Sequence, residues 1–117
     1  MTVLLVDDSA AVRTRLARLL SEQAGIAVEE ASDVRSALES LGHARPDAIV
    51  LDIRLGDESG LQILQAVKSA PAPPLVIMLT NHPTDHHRRW CRDHGADYFF
   101  DKATDMDQVL AVLAPRP

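Results

Sequence analysis

The sequence contains one cysteine, Cys91, so no disulfide bond can form within the chain. A lone thiol fits a reducing compartment. No stretch approaches the roughly 20 consecutive apolar residues of a membrane-spanning helix. The first residues also lack the basic region with which a secretory signal peptide begins. We therefore expect a cytoplasmic protein with no segment in the membrane.

Basic residues are fewer than acidic ones, and segments typical of interdomain linkers are also lacking. The chain has 12 Lys and Arg against 17 Asp and Glu, which gives a formal net charge of −5. Nucleic acids and anionic membranes attract positive surfaces, so we expect no direct binding to either. We find no repeat, low-complexity tract or interdomain linker, and the 117 residues predict a single domain over 1–117.

Short apolar segments alternate with amphipathic segments in a β-α pattern that is repeated five times. The predicted strands cover residues 3–6, 26–31, 48–51, 75–79 and 98–100. Strand–helix alternation with short connections predicts an α/β fold in which helices cover both faces of a parallel sheet.

Capping residues suggest where the helices begin. Three predicted helices follow residues that can accept a hydrogen bond from a first-turn N–H: Asp8 or Ser9, Ser32 or Asp33, and Thr104 or Asp105. Pro83 suits a first helical turn, so we predict a fourth helix from there to Gly95. Residues 54–60 contain two glycines and several polar residues and are predicted to form a loop.

Polar residues stand where four of the strands end. Asp7 and Asp8 follow the first strand, Asp52 the third, Thr80 the fourth and Lys102 the fifth. Ligands of open parallel sheets bind outside the carboxyl ends of the strands. Two acids from one strand end and a third from another offer oxygen ligands for Mg²⁺ beside an aspartate nucleophile. The pattern suggests phosphoryl transfer onto Asp52.

Each of these residues has an ordinary explanation when it is taken alone. Asp8 can simply cap a helix, Thr80 can be a loop hydroxyl, and Lys102 can be a solvated charge. Their joint placement at four strand ends makes coincidence a poor explanation.

In these features the chain resembles the receiver domains of two-component response regulators. The resemblance covers essentially the whole chain and rests on five features in order: the acidic pair, Asp52, Gly60 eight positions later, Thr80 and Lys102. It implies a flavodoxin-like (βα)5 fold, a doubly wound parallel sheet with strand order 2-1-3-4-5.

The resemblance also implies the chemistry. Asp52 would accept a phosphoryl group from a sensor histidine kinase or a phosphotransfer protein. Asp7 and Asp8 would bind Mg²⁺ together with Asp52 and the backbone carbonyl of Arg54. Lys102 would pair with one phosphoryl oxygen. The domain would be a signalling module that catalyses only its own phosphorylation and dephosphorylation.

Switching would follow from the same contacts. Thr80 would hydrogen-bond to another phosphoryl oxygen and move toward it. Phe99, three residues before Lys102, would turn inward, although Phe99 or Phe100 could instead belong only to the core. A downstream partner would contact the fourth helix, the fifth strand and the fifth helix.

Three positions depart from the family pattern. Gly56 and Ala103 stand where many receivers have proline, and the proline after the lysine is commonly joined to it by a cis peptide bond. Asn81 stands where the family usually has a small residue.

Arg54 and His82 each lie two residues beyond a site residue. In this family such positions flank the path of the attacking water. We hypothesise that Arg54, Asn81 and His82 set the lifetime of the phosphorylated state.

Two other functions remain open. A pseudo-receiver would act through protein contacts without phosphorylation; Gly56 and Ala103 favour it, and the complete set of acids, threonine and lysine argues against it. A haloacid-dehalogenase-type phosphatase also uses an aspartyl nucleophile, but it needs a second Asp two residues later, where this chain has Arg54.

The predicted fourth helix is unusually polar. His82 and His86 are spaced for one helical face, so a transition-metal site is conceivable, although no closed ligand set is visible. Arg88, Arg89 and Arg92 could recognise an acidic partner, but a solvated helix is the simpler interpretation. Trp90 fits the core or an interface.

Overall fold

Five parallel strands form the central sheet of the computed structural model, which describes residues 1–23, 25–81 and 83–114. The strands are β1 (Thr2–Val6), β2 (Ala27–Ala31), β3 (Ala48–Leu51), β4 (Leu75–Thr80) and β5 (Tyr98–Asp101). Their order across the sheet is β2-β1-β3-β4-β5. The predicted order 2-1-3-4-5 is confirmed.

Five helices in the described ranges cover the sheet. They are α1 (Ala10–Ser21), α2 (Val34–His43), α3 (Leu61–Lys68), α4 (Asp85–Asp93) and α5 (Met106–Leu113). Alternate residues of a strand point to opposite faces. Leu4 packs in a core with residues of α2, α3 and α4, whereas Leu5 packs in a second core with residues of α1 and α5. Burial on both faces explains why the central strands are continuously apolar.

The structure selects one residue as the cap from two of the predicted capping pairs, whereas no side-chain cap forms at α5. Ser9 precedes α1 and accepts a hydrogen bond from the Val12 N–H at 3.3 Å. Asp33 precedes α2 and accepts one from the Ser36 N–H at 2.8 Å. Asp105 precedes α5 but does not cap it, because its carboxylate accepts a hydrogen bond from the last backbone N–H of β5 at 2.9 Å.

The predicted start of the fourth helix at Pro83 is wrong by two residues. Helix α4 begins at Asp85 because the Thr84 hydroxyl caps it, accepting a hydrogen bond from the N–H of the third helical residue at 3.1 Å. The helix ends at Asp93, and Gly95 follows with a φ of 95°.

Residues 54–60 are more ordered than the predicted loop. Arg54–Leu55 pairs with Glu58–Ser59 as a short antiparallel hairpin. Gly56 lies at its turn with a φ of 62°. Proline is fixed near −65° and could not adopt this conformation. The hairpin therefore accounts for glycine where many receivers have proline.

No helix in the described ranges has the length and apolar character needed to cross a membrane. The described residues also contain no cis peptide bond, so the bond between Lys102 and Ala103 is trans.

Candidate functional site

The carboxyl ends of β1, β3 and β5 bring two acids and a lysine together. The Lys102 Nζ lies 2.5 Å from the Asp7 Oδ2 and 2.6 Å from the Asp52 Oδ2. All three side chains are about nine-tenths buried, with 7% of each exposed. One ammonium group therefore bridges two carboxylates that come from different strands.

Asp8 supplies a third carboxylate at the mouth of the site. Oxygen atoms of Asp7, Asp8 and Asp52 all lie within 4.8 Å of one another, close enough to share one cation. Carboxylate oxygens are the ligands that Mg²⁺ and Ca²⁺ prefer. Within the described ranges, this is the one group of three or more His, Cys, Asp or Glu residues with such spacing.

Backbone N–H groups orient these carboxylates. The Ser9 N–H donates to the Asp7 Oδ1 at 2.8 Å, so the turn into α1 holds that side chain. The Gly56 N–H donates to the Asp8 Oδ2 at 3.0 Å, which links the hairpin to the end of β1. The site is therefore braced from two connecting segments before any cation binds.

Burial and the bridging ammonium shift two pKa values. Burial raises the pKa of Asp7 above its ordinary range, and the hydrogen bond from Lys102 opposes this rise without cancelling it. Burial alone would lower the pKa of Lys102. The hydrogen bonds and negative charges of Asp52 and Asp7 outweigh burial, so the pKa of Lys102 is raised and its amine stays protonated.

Gly60 allows the chain to fold back over the end of β3. A Cβ atom at this position would lie 1.9 Å from the backbone oxygen of Asp52. The Gly60 N–H also donates to the Ile53 carbonyl at 2.6 Å. Any side chain at position 60 would therefore push Asp52 out of place, which explains the glycine eight residues after it.

Thr80 and Asn81 lie at the same edge of the sheet. Thr80 is the last residue of β4 and is fully buried, and its carbonyl accepts a hydrogen bond from the Lys102 N–H at 2.9 Å. Asn81 follows and is exposed. His82 lies outside the described residues, as does the possible metal pair of His82 with His86.

Arg54 contacts Asp52 through its backbone, whereas Phe99 packs against the core. The Arg54 N–H lies 3.4 Å from the Asp52 Oδ1, and its side chain is exposed. Phe99 packs against the core beneath α2, α3 and α4, whereas Phe100 packs in the other core. The Arg88 guanidinium carbon lies 4.7 Å from the centroid of the Phe99 ring.

Arg13 is a site residue that the sequence analysis missed. Its Nη1 donates to the Asp7 carbonyl oxygen at 2.6 Å, and its Nε pairs with the Glu30 Oε1 at 3.3 Å. Only 18% of the side chain is exposed. The helical spacing could have indicated that Arg13 faces inward. It lies three residues before Leu16 and seven before Leu20, the buried residues of α1.

A doubly wound (βα)5 sheet with an acidic triad and a lysine at its carboxyl edge defines a class of small α/β signalling domains. Residues 3–114 match the family model of the response regulator receiver domain. The chain belongs to this family, and the predicted flavodoxin-like fold class is confirmed.

Relatives agree with this assignment. Response regulator MprA of Mycolicibacterium vanbaalenii is 36% identical over 109 residues, which are 93% of this chain and 47% of that protein. Acid tolerance regulatory protein ActR of Sinorhizobium medicae is 34% identical over 116 residues, 99% of this chain and 59% of that protein. The chain thus spans about half the length of the relatives that it matches.

A solved structure is also similar. A response regulator protein from Burkholderia pseudomallei, with a phosphorylated aspartic acid, a calcium ion and citrate, superposes with a TM-score of 0.87 at 27% identity. The match covers 96% of this chain and 65% of that chain. None of these relatives is described as a pseudo-receiver.

Proposed function

We propose that this chain is a phosphoaccepting receiver that takes a phosphoryl group on Asp52 and changes conformation to signal to a partner. The observation that carries the proposal is the bridge from the Lys102 ammonium to the Asp52 and Asp7 carboxylates, 2.6 and 2.5 Å away. Asp52 is thereby fixed beside a permanent positive charge and an acid cluster suited to a cation. The family assignment and the phosphorylated relative support the same function.

The chemistry follows from these neighbours. An Asp52 carboxylate oxygen attacks the phosphorus atom, forming an acyl phosphate as the bond from phosphorus to the donor's imidazole nitrogen breaks. The donor is a sensor histidine kinase or a phosphotransfer protein. Lys102 exchanges one carboxylate oxygen for a phosphoryl oxygen and offsets its charge. Thr80 donates a hydrogen bond to another phosphoryl oxygen.

Asp7, Asp8 and Asp52 have the oxygen donors and spacing for a divalent cation, which we propose is Mg²⁺. The backbone carbonyl of Arg54 would complete the protein ligands. When bound, Mg²⁺ would neutralise charge on the transferring phosphoryl group. Lys102 holds Asp7 and Asp52 near each other, so their mutual repulsion is offset before the cation arrives.

Acetyl phosphate with Mg²⁺ should add a single phosphoryl group to the protein, as measured by intact mass. Asp52→Asn should abolish the adduct completely because the amide is not a nucleophile. Asp57→Asn, which changes an exposed acid of the nearby hairpin, should leave the adduct unchanged. EDTA should suppress the reaction. Failure of the unmodified protein to form any adduct would favour a pseudo-receiver that acts only through protein contacts.

We further propose that Arg54, Asn81 and His82 set the lifetime of the phosphorylated state. Arg54 and Asn81 are exposed beside Asp52 and Thr80, where they can obstruct an approaching water. Alanine at each position should therefore speed phosphate release severalfold, measured as loss of the adduct after the donor is removed. Unchanged release rates in all three variants would contradict this role.

The proposed readout surface comprises α4, β5 and α5. Strand β5 is an edge strand of the sheet, and Tyr98 on it is 40% exposed. An exposed aromatic residue beside an exposed helix suits contact with a protein partner.

The acidic charge of the chain leads us to propose that this partner is a protein, with no direct binding to nucleic acid. We place the domain, residues 1–117, in the cytoplasm.

A further inference from the structure

One arginine of α4 contacts both the ring and the backbone of a residue in β5. The Arg88 guanidinium carbon lies 4.7 Å from the centroid of the Phe99 ring, within the range of a cation–π interaction. The Arg88 Nη1 also donates to the Phe99 carbonyl oxygen at 3.4 Å. Arg88, whose side chain is exposed, therefore contacts both the ring and, through a long hydrogen bond, the strand backbone.

Strand β5 connects this contact to the acidic site. Lys102, which bridges Asp7 and Asp52, comes three residues after Phe99, directly after the end of the strand. Among the described residues, β5 is an edge strand that pairs only with β4. Helix α4 packs against β5 from one face. Arg88 thus links α4 directly to β5, the strand that positions Lys102.

We propose that Arg88 is a positioning residue that stabilises the unphosphorylated arrangement of Phe99, and through β5 that of Lys102. The proposal rests on the proposed phosphoacceptor function and adds a regulatory element to it. The resemblance to receiver domains implies that Phe99 turns inward on phosphorylation, and such a turn would remove its ring from the guanidinium. A contact made in only one of two states shifts the equilibrium toward that state. Arg88 therefore opposes the phosphorylated conformation.

The test measures the affinity for beryllofluoride, a non-hydrolysable phosphoryl analogue, in the presence of Mg²⁺. Arg88→Met keeps an unbranched apolar chain but removes the charge, so it should bind the analogue about two- to fivefold more tightly, as expected from an exposed cation–π contact. Arg88→Lys, which retains a cation, should lie close to the unmodified protein. Arg89→Met should not change the affinity, because Arg89, although exposed like Arg88, lies about 100° away from it around the helix.

A double-mutant cycle separates positioning from a general effect of charge. In a Phe99→Leu background, which has no ring for the guanidinium, Arg88→Met should no longer tighten binding. An unchanged affinity of Arg88→Met, or the same tightening in both backgrounds, would overturn the inference. Urea unfolding of each variant checks that the fold is retained, and Arg88→Gln replaces Arg88→Met if the latter does not fold. Absence of binding by the unmodified protein would instead reject the phosphoacceptor function itself.

Discussion

Lys102→Met should lower the free energy of unfolding by about 3 kcal/mol in metal-free buffer at neutral pH, because it leaves two buried carboxylates without their shared cation. In the intact protein the ammonium lies 2.5 Å from Asp7 and 2.6 Å from Asp52, with 7% of each side chain exposed. Methionine has a similar volume, so the loss reports charge rather than a cavity. Urea unfolding in EDTA measures it.

The free energy of unfolding of Lys102→Met should also depend on pH. Burial already raises the pKa of Asp7 in the folded protein, and removing Lys102 removes a contact that lowers it. The folded variant then retains a proton that the unfolded chain releases near its ordinary pKa of about 3.9. The contribution of Asp7 to the stability of the variant should therefore be fully present below about pH 4 and be lost as pH rises through the folded pKa of Asp7. The unmodified protein should show a weaker fall over the same range.

Lys68→Met is the matched control, since Lys68 is the only other lysine in the chain. It pairs with Asp97 at 2.8 Å, but 36% of that aspartate side chain is exposed. Because Asp97 is better solvated, Lys68→Met should lower the free energy of unfolding by only about 1 kcal/mol. Mg²⁺ should stabilise both variants, because both keep the three acids of the site. Its effect should be larger for Lys102→Met, because the cation there replaces the missing ammonium beside the same carboxylates. Equal losses in both variants would show that Lys102 is an ordinary surface charge.

Gly60→Ala should be the most damaging single-methyl change at the site. The new Cβ would lie 1.9 Å from the Asp52 carbonyl oxygen, a backbone atom that cannot rotate away. We expect the free energy of unfolding to fall by about 3 kcal/mol. Phosphorylation by acetyl phosphate should slow as well, because relief of the clash displaces Asp52.

Gly42→Ala provides the comparison for Gly60→Ala. Gly42 lies within α2, and a Cβ there would meet nothing within 4 Å. Alanine at an unobstructed helical position should stabilise the protein by about 0.5–1 kcal/mol. Urea denaturation of the two variants should therefore give changes of opposite sign. A near-normal stability for Gly60→Ala would mean that the turn after β3 relaxes at little cost.

Local features of the sequence predicted most of the fold. The strand positions were readable because strands buried on both faces are continuously apolar, as in residues 48–51. The capping pairs were readable because only short polar side chains reach the first-turn N–H groups, yet the choice between Ser32 and Asp33 depended on backbone geometry. The start of α4 was predicted two residues early, since Pro83 favours a first turn but Thr84 supplies the hydrogen bond.

Part of the site was also predictable from local features of the sequence. Asp7, Asp8, Asp52, Thr80 and Lys102 stand at strand ends, and parallel strands place their carboxyl ends on one edge. The hairpin was not predictable, since it depends on the positive φ of Gly56 and on the bond from its N–H to Asp8. Such contacts join residues far apart in sequence.

The sequence by itself determined the (βα)5 order, the family and the residues that gather at the sheet edge, because periodicity and strand ends are local properties of the chain. Only the tertiary structure decided that Lys102 bridges Asp7 and Asp52, that Arg13 holds the Asp7 carbonyl, and that Arg88 covers Phe99. These contacts depend on helix packing and side-chain direction, and a one-dimensional pattern does not encode either at the scale of ångströms.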